Sequence, residues 1–326
     1  MQTVKRIIGC VVTLVLIIAC VHYLGKLVRP TDTDITISAI ETFHDLPENS
    51  IEVIGYGSSH MWRGLDVMEM YEKYGIGAYN YGCNWQHFNT TSLFIKDSLR
   101  TQSPKVILIE TFYVDNILLN TDINGEIYYT RAISDFDRKR EYLKQCFYDN
   151  LEGYLSYYMP LCAFHDNWVN IEEASFADFS DDQGFLKTMG YMSSDTIYPV
   201  TIGEPSTFNQ RELNKYALEI LDDIVQTCRE KNIEIIFFTV PWQGEYEHGD
   251  AMKKYAEEHG CEYFNMFELV DEVGLDGDTD FSDAGHLNDN GAAKVADYLG
   301  KYIVDNYEVT DMRTVVNNLW ECKNDI

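Results

Sequence analysis

Two stretches at opposite ends of this chain carry the residue types needed for nucleophilic catalysis. Near the start the sequence reads Ile54-Gly55-Tyr56-Gly57-Ser58-Ser59-His60. Near the end it reads Asp283-Ala284-Gly285-His286-Leu287-Asn288-Asp289-Asn290-Gly291. A serine hydroxyl is a poor nucleophile until a histidine within hydrogen-bond reach takes its proton, and that histidine works best when a carboxylate orients it. Asp283 and His286 are three residues apart, so one loop can deliver both orienter and base. Ser59 is placed to be the nucleophile. Taken singly, each signal is weak: Gly-Ser-Ser is commonplace and reads as a helix N-cap, and D-x-x-H recurs by chance. Their joint placement, after the first strand and before the last helix, points to one site. Asp280, three residues before Asp283, is the reserve orienter.

The elements that must bring these residues together follow from the apolar pattern. Residues 51–56, 77–81, 105–110, 233–240 and 261–264 read as short strands. Residues 105–110 (KVILIE) and 233–240 (IEIIFFTV) are near-continuous apolar runs. Helices are expected over 61–74, 85–99, 211–231, 251–259 and 291–304, the clearest being 211–231, with Leu213, Ala217, Ile220, Leu221 and Ile224 on one face. Such strands separated by helices predict an α/β fold with a parallel sheet covered on both faces. Chemistry in such sheets gathers at the carboxyl ends of the strands. Ser59 would then sit at that edge, with its amide at a helix N-terminus able to stabilise an oxyanion. Asn288 or Asp289 is expected to cap the final helix. Residues 115–210 break the rhythm. Rich in Tyr, Phe and Asp, they read as an irregular, partly helical insertion covering the active-site face.

The N-terminus has a different composition. Lys5-Arg6 precedes an almost wholly apolar run from Ile7 to Val21 that continues weakly through Leu24. Roughly 18 such residues can cross a bilayer core of about 30 Å. Three readings stand for residues 1–30: an uncleaved single-pass anchor, a cleaved signal peptide, or a lipoprotein signal ending at Ile17-Ile18-Ala19-Cys20. Each places residues 31–326, read as one domain, outside the cytoplasm. The formal net charge of the 326-residue chain is -28, which argues against nucleic acid and against a broad face for anionic lipid. Of eight cysteines, two lie in the apolar run. The other six show no C-x-x-C pair and no zinc spacing, so no metal or cofactor is expected, and both disulfides and free thiols stay open.

On the first and last blocks the chain resembles the SGNH/GDSL hydrolase superfamily. Gly57-Ser58-Ser59 stands where that family has Gly-Asp-Ser, and Asp283, His286, Asn288 and Gly291 match its last block. Asn80-Tyr81-Gly82 matches the second block, whose glycine amide is an oxyanion donor. The third block departs. The family has Gly-x-Asn-Asp, whereas this chain has Glu110-Thr111-Phe112-Tyr113-Val114-Asp115-Asn116, so Tyr113 or Asn116 would supply the missing donor. The resemblance, over most of residues 50–305, implies a flavodoxin-like parallel sheet with helices on both faces. It also implies a serine esterase or acyltransferase with Ser59, His286 and Asp283 as the relay, and an oxyanion hole from Ser59 and Gly82.

The Gly-Ser-Ser-His start, the N-terminal apolar run and the altered third block are similar to the envelope members of that superfamily, among them D-alanine transfer and alginate O-acetylation proteins. By that analogy the substrate is an acylated cell-envelope polysaccharide and a membrane-bound O-acyltransferase is a possible partner. His60 is expected in the wall of the site. Trp242 and Gln243, after the fourth strand, are expected to line the pocket, with Trp242 able to stack on a sugar ring. His165, inside the insertion, reads as structural. Two rivals stand beside the esterase reading: a catalytically inactive scaffolding module, favoured by the loss of Gly-x-Asn-Asp, and a lysophospholipase, which would need an apolar acyl channel.

Overall fold

The computed structural model describes residues 2–31, 34–176, 184–203, 210–316 and 318–320. They form two compact units: Met1–Ser38 with Leu119–Ser180, and Ala39–Leu118 with Asp181–Ile326.

The second unit holds a five-stranded, all-parallel sheet of β1 (Val53–Tyr56), β2 (Ala78–Asn80), β3 (Val106–Glu110), β4 (Glu234–Thr239) and β5 (Glu262–Asn265). The strand order is β2-β1-β3-β4-β5, the flavodoxin-like arrangement. Strand order reverses between β1 and β3, and in sheets of this kind ligands bind at the carboxyl ends of the strands on either side of such a reversal. The central strands are apolar throughout because helices cover both their faces. Val106, Ile107, Leu108 and Ile109 of β3 are completely buried. Truncating Leu108 to Ala would cost about 2–5 kcal/mol in lost burial and cavity.

The helices sit largely where the periodicity puts them, with informative differences. The single helix expected over 61–74 is two, Ser59–Gly64 and Val67–Tyr74. Asp66 separates them: its carboxylate accepts the amides of Met68 and Glu69 and caps the second helix. The helix expected from residue 85 begins at Phe88, because Trp85 adopts a left-handed backbone with φ 55°. The final helix, Asp289–Asn306, is capped by Asn288, whose side-chain oxygen accepts the Gly291 amide at 3.2 Å.

Within the first unit, the helix Gln2–Leu27 is long and apolar enough to cross a membrane. Just past its end, the buried Arg29 forms a two-point ion pair with Asp34 at 3.1 and 2.7 Å and donates to the carbonyls of Lys26 and Ser175. That pairing fixes the chain direction where the apolar run stops. Residues 119–176 form short helices, including Phe136–Cys146, Leu151–Tyr158 and Pro160–Phe164. His165 is exposed there and lies 3.2 Å from Asp166. Residues 184–203 belong to the second unit. Their backbone binds the sheet edge at Asn80, the carbonyl of Trp62, and the segment before Asp283 at Phe281. No disulfide joins the seven cysteines among the described residues.

Candidate active site

All the residues of the candidate site lie in the second unit. β1 ends at Tyr56 and the chain turns through Gly57, whose φ of 154° is one that L side chains rarely adopt. A Cβ there would stand 2.9 Å from the Cβ atoms of both Glu110 and Met61. Glycine is therefore required for β1 to pass this close to β3 and turn. Ser58 faces inward, 1% exposed, and its hydroxyl oxygen accepts the His60 amide at 3.3 Å as the helix cap. Ser59, the first helical residue, faces the other way. Its Oγ lies 2.8 Å from His286 Nε2. Of the two adjacent serines, only Ser59 meets the histidine.

The loop before the final helix presents His286. Phe281 and Leu287 form an antiparallel bridge, and the Ser282 amide donates to the His286 carbonyl at 2.9 Å, so the intervening residues make a tight turn. Asp283 closes it, accepting the amides of Gly285 at 2.7 Å and His286 at 3.0 Å. The same carboxylate lies 2.9 and 3.0 Å from His286 Nδ1. Burial raises the Asp283 pKa, but the Gly285 amide and the His286 ring outweigh it and hold the carboxyl below its ordinary value. With Nδ1–H donating to a carboxylate, Nε2 is the acceptor and the Ser59 hydroxyl donates to it. The Gln243 amide pins the turn from outside by donating to the Ala284 carbonyl at 3.0 Å. Asp280, the reserve orienter, is buried and paired with Lys294 at 2.6 Å.

Gly82 lies directly behind the Ser59 helix. A Cβ on it would be 2.8 Å from the Trp62 nitrogen. Asn80 organises this approach: its amide nitrogen donates to the carbonyls of Met61 and Leu65, both at 2.9 Å. Its side-chain oxygen accepts the Gly82 amide at 3.1 Å. In this state the Gly82 N–H is engaged, and it reaches an oxyanion only by sharing or leaving that bond. The Ser59 amide is at the first position of its helix, where no intrahelical acceptor exists.

The remaining candidates form a wall of rings. His60 stacks on Phe112 at 3.8 Å between centroids and 17° between planes, and lies 5.2 Å from the His286 ring. Trp242 closes edge-on against His60 at 5.3 Å and Phe112 at 4.8 Å. His60 is 4% exposed and its Nδ1 is buried without a hydrogen-bond partner. Burial first, then the nearby His286, lowers its pKa to about 3, so the ring is neutral at physiological pH. Tyr113 packs beside Phe112 at 4.8 Å and stacks on His87 at 5.1 Å. Asn116 is exposed in a turn, its amide donating to the Tyr113 carbonyl and its carbonyl accepting the Phe88 amide.

Two residues escaped the sequence reading. Phe112 is the hub of the ring wall, though nothing in its type distinguishes it from a core phenylalanine. Glu110 had a signal, a carboxylate ending an otherwise apolar strand. It is 2% exposed, its Oε1 accepts the Phe112 amide at 2.9 Å, and the Ser58 hydroxyl donates to its Oε2 at 3.5 Å. Burial pushes its pKa up to about 8 against the lowering effect of the Phe112, Val240, Ser58 and Thr111 hydrogen bonds.

No protein-family model and no curated protein matches the chain. Among solved structures it is similar to a crystal structure described as a "putative acylhydrolase" from Bacteroides fragilis NCTC 9343. The identity is 9%, over 81% of this chain and 93% of that one, with a TM-score of 0.38. A likeness this remote adds nothing to the geometry above.

Proposed function

We propose that this chain is a membrane-tethered, extracytoplasmic serine esterase or O-acyltransferase acting on acyl esters of a cell-envelope polysaccharide. The observation that carries the reading is the continuous relay from Ser59 Oγ through His286 to Asp283, at 2.8 Å and then 2.9 and 3.0 Å. Ser59 Oγ attacks the acyl carbonyl as its proton passes to His286 Nε2. Asp283 steadies the imidazolium that results. The bond to the leaving alcohol breaks as His286 returns the proton to it, and the acyl group stays on Ser59. Water or a sugar hydroxyl then gives its proton to His286 and attacks the acyl carbon, the acyl–Oγ bond breaks, and His286 returns that proton to Ser59 Oγ. The Ser59 and Gly82 amides stabilise the oxyanion, with the Tyr113 hydroxyl or the Asn116 side chain as third donor.

Lys5-Arg6 ahead of the apolar helix supports an inside N-terminus and an outside catalytic unit. Resemblance to the envelope branch of the SGNH/GDSL hydrolases supports a polysaccharide substrate and a membrane-bound O-acyltransferase as partner. A fluorophosphonate probe should label wild type and fail on Ser59→Ala, with p-nitrophenyl acetate turnover lost in parallel. Absence of labelling and turnover in folded wild type would leave the scaffolding reading instead. Protease added to intact protoplasts should digest the chain beyond the apolar helix, and full protection until lysis would overturn the extracytoplasmic placement.

A further inference from the structure

We infer that the surface leading from the relay along Phe112 and Tyr113 to Trp85 is a subsite for an uncharged glycan chain. It rests on the esterase reading only for the identity of its neighbour. The rings are continuous: His286 beside His60, His60 flat on Phe112, Phe112 against Tyr113, and Tyr113 near-parallel to His87 at 11° and to Trp85 at 24°. The track therefore starts at the base and ends at an indole that is 66% exposed.

The backbone is bent to put that indole there. Of the five non-glycine residues with positive φ among the described residues, three are Asn, which tolerates this conformation through its own side chain. A bulky residue at φ 55° is a real exception. The His87 ring holds it there, with Nδ1 2.8 Å from the Trp85 carbonyl. Strain kept at an exposed aromatic on the carboxyl edge of the sheet is the pattern expected of a ligand contact.

The chemistry selects the ligand. An indole face covers the C–H face of a pyranose ring, while the indole N–H meets its hydroxyls. A membrane-inserting patch would present further exposed apolar side chains beside the ring. Here the sequence neighbours are the exposed Asn84 and the half-buried His87, while Gln86 and the next apolar residue, Phe88, are buried. The formal charge of -28 repels a polyanionic chain and leaves an uncharged one unopposed.

The test uses the full-length Ser59→Ala protein in detergent, so that nothing is turned over, with binding followed by calorimetry. The probes are chitohexaose and cellohexaose, which are uncharged, and hexagalacturonate, which is a polyanion of equal length. At least one uncharged hexasaccharide should bind with micromolar to millimolar affinity, and hexagalacturonate at least tenfold more weakly. Trp85→Gly should weaken the uncharged ligand tenfold or more, and Trp85→Tyr by no more than about threefold. Glycine accepts positive φ, so Trp85→Gly relieves the backbone and should unfold at or above the parent temperature. No binding of either uncharged probe, tighter binding of hexagalacturonate, or undiminished binding by Trp85→Gly would each overturn the subsite. Quenching of Trp85 by brominated lipid that sugar does not relieve would make it a membrane contact and overturn it too. The two readings fail separately. Trp85-dependent sugar binding with no fluorophosphonate labelling of wild type sinks the esterase and keeps the subsite; labelling without sugar binding does the reverse.

Discussion

Replacing Glu110 with Gln should stabilise the protein, by more as pH rises from about 4.5 to about 8. The carboxyl group sits beneath the Gly57–Ser59 turn, packed against Gly57 and hydrogen-bonded to Phe112 and Ser58, with a folded-state pKa of about 8 against an ordinary value of 4.5. Below 4.5 both folded and unfolded chains carry the proton, and the neutral carboxyl contributes its full share of stability. Between 4.5 and about 8 the folded chain holds a proton that the unfolded chain has lost, so stability falls as pH rises. The slope is about 1.4 kcal/mol per pH unit. Over that window the ceiling is on the order of 4–5 kcal/mol, a large part of a typical domain's total. Glutamine keeps the shape and the acceptor for the Phe112 amide, and it cannot ionise.

The assay is urea unfolding of wild type and Glu110→Gln, as full-length protein in detergent, at half-unit steps from pH 5 to 9. The difference between the two should widen up to about pH 8 and then level off. Because other titrating groups are common to both, the difference isolates Glu110. The same ionisation places a buried charge, with no cation among its hydrogen-bond partners, beneath the Gly57–Ser59 turn, so kcat of wild type should fall above pH 8 while that of Glu110→Gln holds. Parallel stability curves with a constant offset would refute the reasoning. So would a Gln variant as unstable as Glu110→Ala, since the site would then need the charge and not the neutral shape.

Three further predictions follow from the site. Asp283→Asn should lower kcat/KM by roughly 10³–10⁴, as in triads whose histidine loses its orienting carboxylate, and Asp280 should give no rescue because Lys294 holds it. His60 should show no imidazole titration by NMR between pH 5 and 8. Since its folded pKa lies below its unfolded one, it costs stability as pH falls below about 6.5, and His60→Phe should abolish that cost while keeping the stack on Phe112. Tyr113→Phe should lower kcat far more than it raises KM, by about 10²–10³ if its hydroxyl meets the oxyanion. Silence there with loss in Asn116→Ala would move the donor three residues on, and silence in both would leave the backbone amides alone.

What was legible in the sequence, and what was not, divides along a physical line. A parallel sheet brings every strand's carboxyl end to one edge, so any reactive residue just after a strand is delivered there whatever its distance along the chain. Ser59 is delivered there directly by β1, and His286, 227 positions on, by the loop that enters the final helix at the same edge, so the two could be paired on paper and lie 2.8 Å apart in space. The D-x-x-H turn is likewise local, because Asp283 reaches its partners through two nearby amides. Hydrophobic periodicity, by contrast, could not see the break at Asp66. Both flanking helices bury their apolar faces, so the repeat runs on across the gap. The sign of that break was the cap residue itself, a lone Asp followed by Glu69.

The residues that stayed hidden owe their roles to packing and not to type. Phe112 is chemically an ordinary core phenylalanine, and only the tertiary fold lays His60 flat upon it. Trp85 looked like the start of a helix because propensity is blind to a left-handed backbone, yet that conformation is what turns the indole outward. Glu110 was in view, but its effect depends on how completely it is buried. In each case packing decides the chemistry: burial for Glu110, the His60 ring for Phe112, and the His87 and Tyr113 rings for Trp85. The pH response of the turn and the proposed grip on a sugar chain belong to contacts across the carboxyl ends of β1, β2 and β3. If Glu110→Gln and Trp85→Gly alter those two properties while Ser59 still labels at the wild-type rate, the relay and its surroundings are separable parts of one site.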